Sequence, residues 1–271
     1  MHGLESKRVF ITGGSSGIGL CTAEALAREG AHVCLFARNK ERLEAAAAHI
    51  REIAKAKGDV ACFALDVADN SQVRTVMARA MVEFGVPDIL INCAGRARPK
   101  VFVDISYEQF DETMKINLYG ARNTIAALAP YMGKNGGHIV NVSSMAGLIG
   151  VFGYTDYCAS KFGLIGFSEA LRSELDGLGI GVSVLCPADT DTPGLAEENL
   201  TKPPETIAIS ESACLLPPEK VAQALIAGIK KKKFLIIPGT DGKVSWLAKR
   251  FCPWMVDLIM KRTINKVRAG M

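Results

Sequence analysis

The sequence predicts an α/β protein, a single doubly wound parallel sheet with helices on both faces. Three observations predict it. Short apolar runs alternate with helix-length segments through the 271 residues, the pattern of parallel strands covered on both sides. A glycine-rich turn, Thr12-Gly-Gly-Ser-Ser-Gly-Ile-Gly19, directly follows the first run. The motifs that carry chemistry all fall at the ends of strands, where open α/β sheets bind ligands.

The strands are expected at 7–11, 31–36, 60–65, 88–92, 138–143, 181–186 and 234–237. A helix from about Gly17 to Arg28 follows the first, and the alanine-rich stretch 40–56 supplies the next. Helices of ten or more residues fit between most of the remaining strands. Neither an internal repeat nor a low-complexity linker interrupts the series. The length suits one domain with a large buried core.

Composition narrows the class. The eight cysteines (21, 34, 62, 93, 158, 186, 214 and 252) show no paired spacing. That argues against a metal or disulfide framework and for a reducing, cytoplasmic compartment. The first strand lies too near the N-terminus to leave room for a signal peptide. No apolar run approaches the roughly 18 residues of a membrane span. Net charge is +4, yet residues 230–271 hold eleven Lys or Arg against two acids, so the rest of the chain sums to −5. Basicity is thus a property of the C-terminal end. Without a basic motif interleaved with aromatics, no nucleic-acid partner is expected.

Tyr157 and Lys161 are the most informative residues. Four apart on a helix, they share one face. A free tyrosine titrates near 10, and a fixed positive charge nearby lowers that value. Such a phenol can give a proton to a carbonyl oxygen or take one from an alcohol. On its own the pair reads equally as a solvated surface pair. The glycine turn shifts that balance, because glycines 13, 17 and 19 let backbone approach a pyrophosphate at the positive end of a helix. The spacing is not Gly-x-Gly-x-x-Gly, and the lysine of a triphosphate loop is absent.

Thr12-Gly-x-x-x-Gly-Ile-Gly19, Asn92-Cys-Ala-Gly95, Asn117, Ser143-Ser144 and Tyr157-x-x-x-Lys161 resemble the short-chain dehydrogenases/reductases in order and spacing, over roughly residues 5–240. The resemblance implies a Rossmann-type fold, a nicotinamide cofactor and hydride transfer at a carbonyl or alcohol carbon. It makes Tyr157 the general acid/base, with Lys161 lowering its pKa and holding the nicotinamide ribose. Ser144 would hydrogen-bond the substrate oxygen and Asn117 would hold a water of the proton relay. Ser144 is preferred because it precedes Tyr157 by the family's usual thirteen residues; an exchange with Ser143 stays open.

For the cofactor, the resemblance assigns Gly13, Ser15, Ser16, Gly17, Ile18 and Gly19 to the phosphates, and Asp66 and Val67 to the adenine. Asn92, Ala94 and Gly95 would line the adenosine side. Pro187 would pack on the nicotinamide, with Thr190 and Thr192 near its carboxamide, although Ala188 stands where the family has glycine. The second strand ends in Ala37-Arg38, without the carboxylate of NAD-selecting members, and Arg42 follows. A guanidinium pairs well with a 2′-phosphate, so NADPH (NADP) is the expected cofactor.

Residues 188–216 resemble the substrate lid of 3-ketodihydrosphingosine reductases, with Gly150-Val-Phe-Gly-Tyr154 and Asp156 compatible. That implies reduction of a long-chain amino ketone to sphinganine, a step of sphingolipid metabolism. Asp189, Asp191, Glu197 or Glu198 could attract the substrate ammonium. Otherwise the segment is a polar mobile loop. The alternatives are a reductase of the same family acting on steroids, 3-oxoacyl thioesters or other apolar carbonyls, and a non-catalytic dinucleotide sensor.

The dehydrogenase domain is expected over 1–240 and a basic amphipathic extension over 241–271. Eukaryotic reductases of this kind carry a membrane-inserting segment before the first strand; none is read here. The tail mixes Trp246, Leu247, Phe251, Trp254, Met255, Leu258, Ile259 and Met260 with Lys249, Arg250, Lys261 and Arg262. Pro253 is expected to split it into two short helices. Peripheral contact with a membrane surface fits this composition; core or dimer contact fits equally. The expected assembly is a homo-oligomer, a dimer or tetramer.

Overall fold

The computed structural model describes residues 3–270 except 55, 56, 134, 135, 212 and 213. The first half runs β1 (Arg8–Thr12), α1 (Gly17–Arg28), β2 (His32–Ala37), α2 (Lys40–Ala54), β3 (Val60–Ala64), α3 (Asn70–Phe84) and β4 (Ile89–Asn92). Then come α4 (Tyr107–Met114), a π-helical stretch Lys115–Tyr119, α5 (Gly120–Met132), β5 (Gly137–Val142), α6 (Thr155–Asp176) and β6 (Ile180–Leu185). The chain closes with α7 (Pro193–Asn199), α8 (Pro204–Glu211), α9 (Pro218–Lys230), β7 (Leu235–Ile236), α10 (Thr240–Phe251) and α11 (Pro253–Ala269). The expected end of the second helix, at 56, lies outside the described residues.

All seven strands are parallel, in the order β3-β2-β1-β4-β5-β6-β7. The doubly wound α/β sheet inferred from the sequence is therefore present. Side chains alternate along each strand between two apolar faces. Val9, Ile11, Val33, Leu35, Ile89 and Ile91 pack against Leu26, Leu43, Ile50, Leu225 and Ile229 of α1, α2 and α9. Phe10, Phe36, Leu90 and Ile139, on the other face, meet Met77, Ile125, Leu128 and Leu175 of α3, α5 and α6. Each such fully buried side chain contributes about 1.5–3 kcal/mol by leaving water. Strand order reverses between β1 and β4, which opens a crevice at their carboxyl ends.

One buried polar contact ties the far edge to this core and carries a pH signature. His138 on β5 meets Ser183 on β6, Nε2 to Oγ 2.8 Å, and the Ser183 hydroxyl donates to the Lys233 carbonyl. With that hydroxyl proton committed, Nε2 carries the ring proton of a neutral imidazole. Burial holds its pKa down, at about 4 against 6.5. The unfolded chain thus binds more protons between those values, and stability falls as pH drops through the window. The expected loss between pH 6.5 and 4 is about 3 kcal/mol. Urea unfolding across this range should show it, with a shallower decline in His138→Gln.

The tail forms two helices, with Pro253 at the first position of α11. No helix among the described residues is long and apolar enough to cross a membrane. The end of α11 reaches back over α8, where Arg268 Nε donates to Glu205 Oε1 at 3.1 Å and stacks on Phe152.

Candidate active site

The glycine turn leaves β1 at Gly13, whose φ of +67° is a conformation glycine alone adopts at little cost. A Cβ there would lie 2.8 Å from the Ala94 nitrogen, and one on Gly19 would collide with the Gly13 carbonyl. Thr12 pins the turn to the exit of β4, its Oγ1 accepting from the Cys93 and Ala94 nitrogens at 3.2 Å. The Ser16 side chain makes no cap bond to α1, so the positive helix end faces the turn uncapped. Ser15, Ser16, Gly17 and Ile18 are half-buried along its rim. This bare backbone cradle fits a dinucleotide pyrophosphate.

The remaining residues expected to bind the cofactor have the following settings. Ala37 ends β2, Arg38 and Arg42 are exposed beyond it, and no ion pair among the described residues engages either guanidinium. Asn39 caps α2 by accepting from the Arg42 nitrogen at 2.8 Å. Asp66 accepts from the Ala68 nitrogen at 3.0 Å and holds Gln72 through its own backbone N–H. Buried Val67 lends its carbonyl to Asn123 at 3.1 Å. The Asn92 side chain is spent internally, donating to Asn141 at 2.9 Å and accepting from Thr124 at 2.7 Å. Its share in the adenosine side therefore falls to backbone, beside Ala94 and Gly95.

Two of the four expected catalytic residues meet at Gly95, where a Cβ would lie 3.2 Å from Asn117 Oδ1 and 3.4 Å from Lys161 Nζ, and Lys161 in turn faces the Tyr157 ring. Asn117, in the π-helical stretch, brackets Arg96: it accepts from the Arg96 nitrogen and donates to its carbonyl, each at 2.9 Å, and also donates to Ser160 at 3.0 Å. Asp156, on the first turn of α6, accepts the Tyr157 backbone N–H at 2.8 Å and the Thr113 hydroxyl at 2.8 Å. It thereby fixes the start of the helix that carries Tyr157. The two serines separate cleanly. Ser143 donates to the Lys161 carbonyl at 3.0 Å, whereas Ser144 hydrogen-bonds the Tyr157 phenol.

Burial dominates the electrostatics of the pair. Burial pushes the Tyr157 phenol above its ordinary value, with the Glu198 charge adding to the rise and the Ser144 bond opposing it. Lys161 faces the same ring. Its Nζ sits 5.5 Å from the ring centroid and donates to the Val142 carbonyl at 2.8 Å, while its own burial brings it down to about 8. Desolvation outweighs the charge here.

Beyond β6, Pro187 accepts from the Met145 nitrogen at 2.9 Å, and Thr190 donates to the Ala188 carbonyl at 2.9 Å. Thr190 also pairs with Leu216 in a short parallel bridge. Thr192 caps α7, accepting from the Leu195 nitrogen at 3.2 Å, and its methyl lies 3.1 Å from where a Cβ on Gly17 would be. The lid is not a bare loop but α7 and α8, with residues 212 and 213 outside the described set. The Thr192-Pro193 pair, N-cap then first-position proline, was the readable sign of α7. Three acids on this side have distinct partners: Asp189 with Lys202 at 3.7 Å, Glu205 with Arg268, and Glu198 with the Tyr154 hydroxyl at 2.9 Å.

Comparison with known proteins agrees with this geometry. A family model described as short chain dehydrogenase matches residues 7–203. The chain is 41% identical over 242 residues to a 3-dehydrosphinganine reductase of Danio rerio, covering 88% of this chain and 73% of that one. It is 40% identical to a 3-ketodihydrosphingosine reductase of Bos taurus with the same coverage. Residues up to 203 cannot hold 88% of the chain, so the likeness runs on past the family match. L-sorbose reductase from Gluconobacter frateurii, solved with NADPH and L-sorbose, superposes with a TM-score of 0.78 at 28% identity, over 89% of this chain and 97% of that one. The chain belongs to the short-chain dehydrogenase family and is a nicotinamide-dependent oxidoreductase.

Proposed function

We propose that this protein reduces the 3-keto group of 3-ketodihydrosphingosine to sphinganine, with NADPH. The observation that carries the reading is the likeness to reductases of that name over 88% of the chain. Exposed, unpaired Arg38 and Arg42 at the positive end of α2, with no carboxylate at Ala37, favour a 2′-phosphate over a free hydroxyl.

When bound, the reduced dinucleotide supplies the hydride. The protein's own part is the proton. Tyr157, held protonated at neutral pH by burial, gives its phenolic proton to the ketone oxygen, and Ser144 orients that oxygen. Lys161, still cationic at neutral pH, stabilises the phenolate that remains and holds the ribose. Both Asn117 amide N–H groups are used, by Arg96 and Ser160, while Oδ1, which accepts from the Arg96 nitrogen, keeps a second lone pair with which to hold the relay water. The test is a panel of ketones followed by NADPH oxidation. The amino ketone should exceed steroid ketones and 3-oxoacyl thioesters in kcat/KM by at least about tenfold; a steroid or thioester in first place would replace the substrate assignment.

The tail is read as a peripheral membrane contact. Phe251, Trp254 and Ile259 stand exposed beside Arg250, Lys261 and Arg262, a pairing suited to an anionic lipid surface. The protein should bind phosphatidylserine vesicles, and release at high salt as exposed charges are screened. Removing the tail would also strip Arg268 from the lid, so Phe251→Ser with Trp254→Ser is the cleaner variant. Vesicle binding that persists unchanged in it would return this face to a subunit contact.

A further inference from the structure

Of the three lid acids with side-chain partners, Asp189, Glu205 and Glu198, only Glu198 forms no ion pair among the described residues. Lys202 pairs with Asp189 and donates to Ser210 at 3.2 Å, and Arg268 pairs with Glu205. Glu198 Oε2 accepts only the neutral Tyr154 hydroxyl, and its Oε1 accepts from no described residue. The Tyr154 ring packs at 5.6 Å from that of Tyr157. A carboxylate in no ion pair among the described residues is thus held next to the ring that packs on the proton donor.

This is an expensive place for an unpaired charge. Burial raises the Glu198 pKa, and its charge is the next cause after burial of the rise at Tyr157. The charge also opposes the reaction, because giving up a proton leaves a phenolate facing a carboxylate. Lys202, already paired with Asp189, and then Lys161 attract Glu198 without forming an ion pair with it. A bound cation beside Glu198 would remove both costs. In a 2-amino ketone the ammonium is attached to the carbon next to the reacting carbonyl, so a group that finds Tyr157 brings its positive charge to this spot.

We propose that Glu198, presented by α7 and steadied by Tyr154, is the subsite that receives the protonated amino group of the substrate. The inference rests on the amino-ketone reading above and adds the residue that makes the reaction selective for it. A ketone without the amine would leave the carboxylate uncompensated and be a poorer substrate.

The test compares 3-ketodihydrosphingosine with the same long-chain ketone lacking the amine, as a ratio of kcat/KM values. Glu198→Gln keeps an oxygen for the Tyr154 hydroxyl and removes the charge. The ratio should fall about 10–100-fold, the range of a charge-assisted hydrogen bond. Tyr154→Phe, which leaves the carboxylate, should keep the ratio within about threefold. Calorimetric titration with sphinganine, against a neutral long-chain alkanol, should show the same loss in Glu198→Gln. If both variants slow the two ketones equally, Glu198 is only a latch for the lid and the inference fails while the substrate reading stands. If the wild-type protein reduces the amine-free ketone but not the amino ketone, the substrate reading fails and takes the inference with it.

Discussion

Tyr157→Phe is expected to lower kcat for ketone reduction about 10²–10⁴-fold, the range a positioned acid or base supplies, while dinucleotide binding largely survives. The ring stays, and so does its packing against Tyr154 at 5.6 Å. Only the transferable proton and the bond to Ser144 are lost. The rise of the Tyr157 pKa keeps the phenol protonated at neutral pH, so the proton that ketone reduction consumes is in place. Steady-state turnover together with fluorescence titration of NADPH separates the two effects. Near-normal turnover would mean that another group supplies the proton.

Arg38→Asp is expected to lower the preference for NADPH over NADH by about 10–100-fold. The carboxylate would replace a phosphate-pairing guanidinium and repel the 2′-phosphate, and it would accept the ribose hydroxyls of NADH instead. The effect is moderated because Arg38 is exposed, where water and salt weaken charge pairs. Arg42 and the positive end of α2 remain as partial support. The ratio of kcat/KM for the two cofactors reads it directly. An unchanged ratio would put the 2′-phosphate elsewhere or make NADH the working cofactor.

The sheet was legible because its strands are short and apolar on both faces, so their period and boundaries stand out: α1 spans Gly17–Arg28 and no strand end differs from expectation by more than one residue. β7 shrinks to Leu235–Ile236 because it is an edge strand paired on one side only, with Pro238 beyond it. The motif residues could be placed in order, but not their side-chain directions. Spacing could not tell Ser143 from Ser144; the turn after β5 does, aiming one at the Lys161 carbonyl and the other at Tyr157. Nor could spacing show that Asn92 is spent inside the sheet. The lid was least legible. Its pairs join positions 154 and 198, or 205 and 268, and no local pattern encodes a contact between segments so far apart in the chain. The effect of burial on Tyr157 was hidden for the same reason, since desolvation belongs to the packed site.

The central claim is hydride delivery to the 3-keto carbon of a long-chain amino ketone, with the proton from Tyr157. The most direct measurement incubates the purified protein with 3-ketodihydrosphingosine and NADPH deuterated at the transferred position, then analyses the product by mass spectrometry. The account predicts sphinganine with deuterium on its hydroxyl-bearing C3 carbon, formed by the wild-type protein and almost absent with Tyr157→Phe. Oxidation of NADPH without labelled sphinganine, or equal labelling by both proteins, would contradict it.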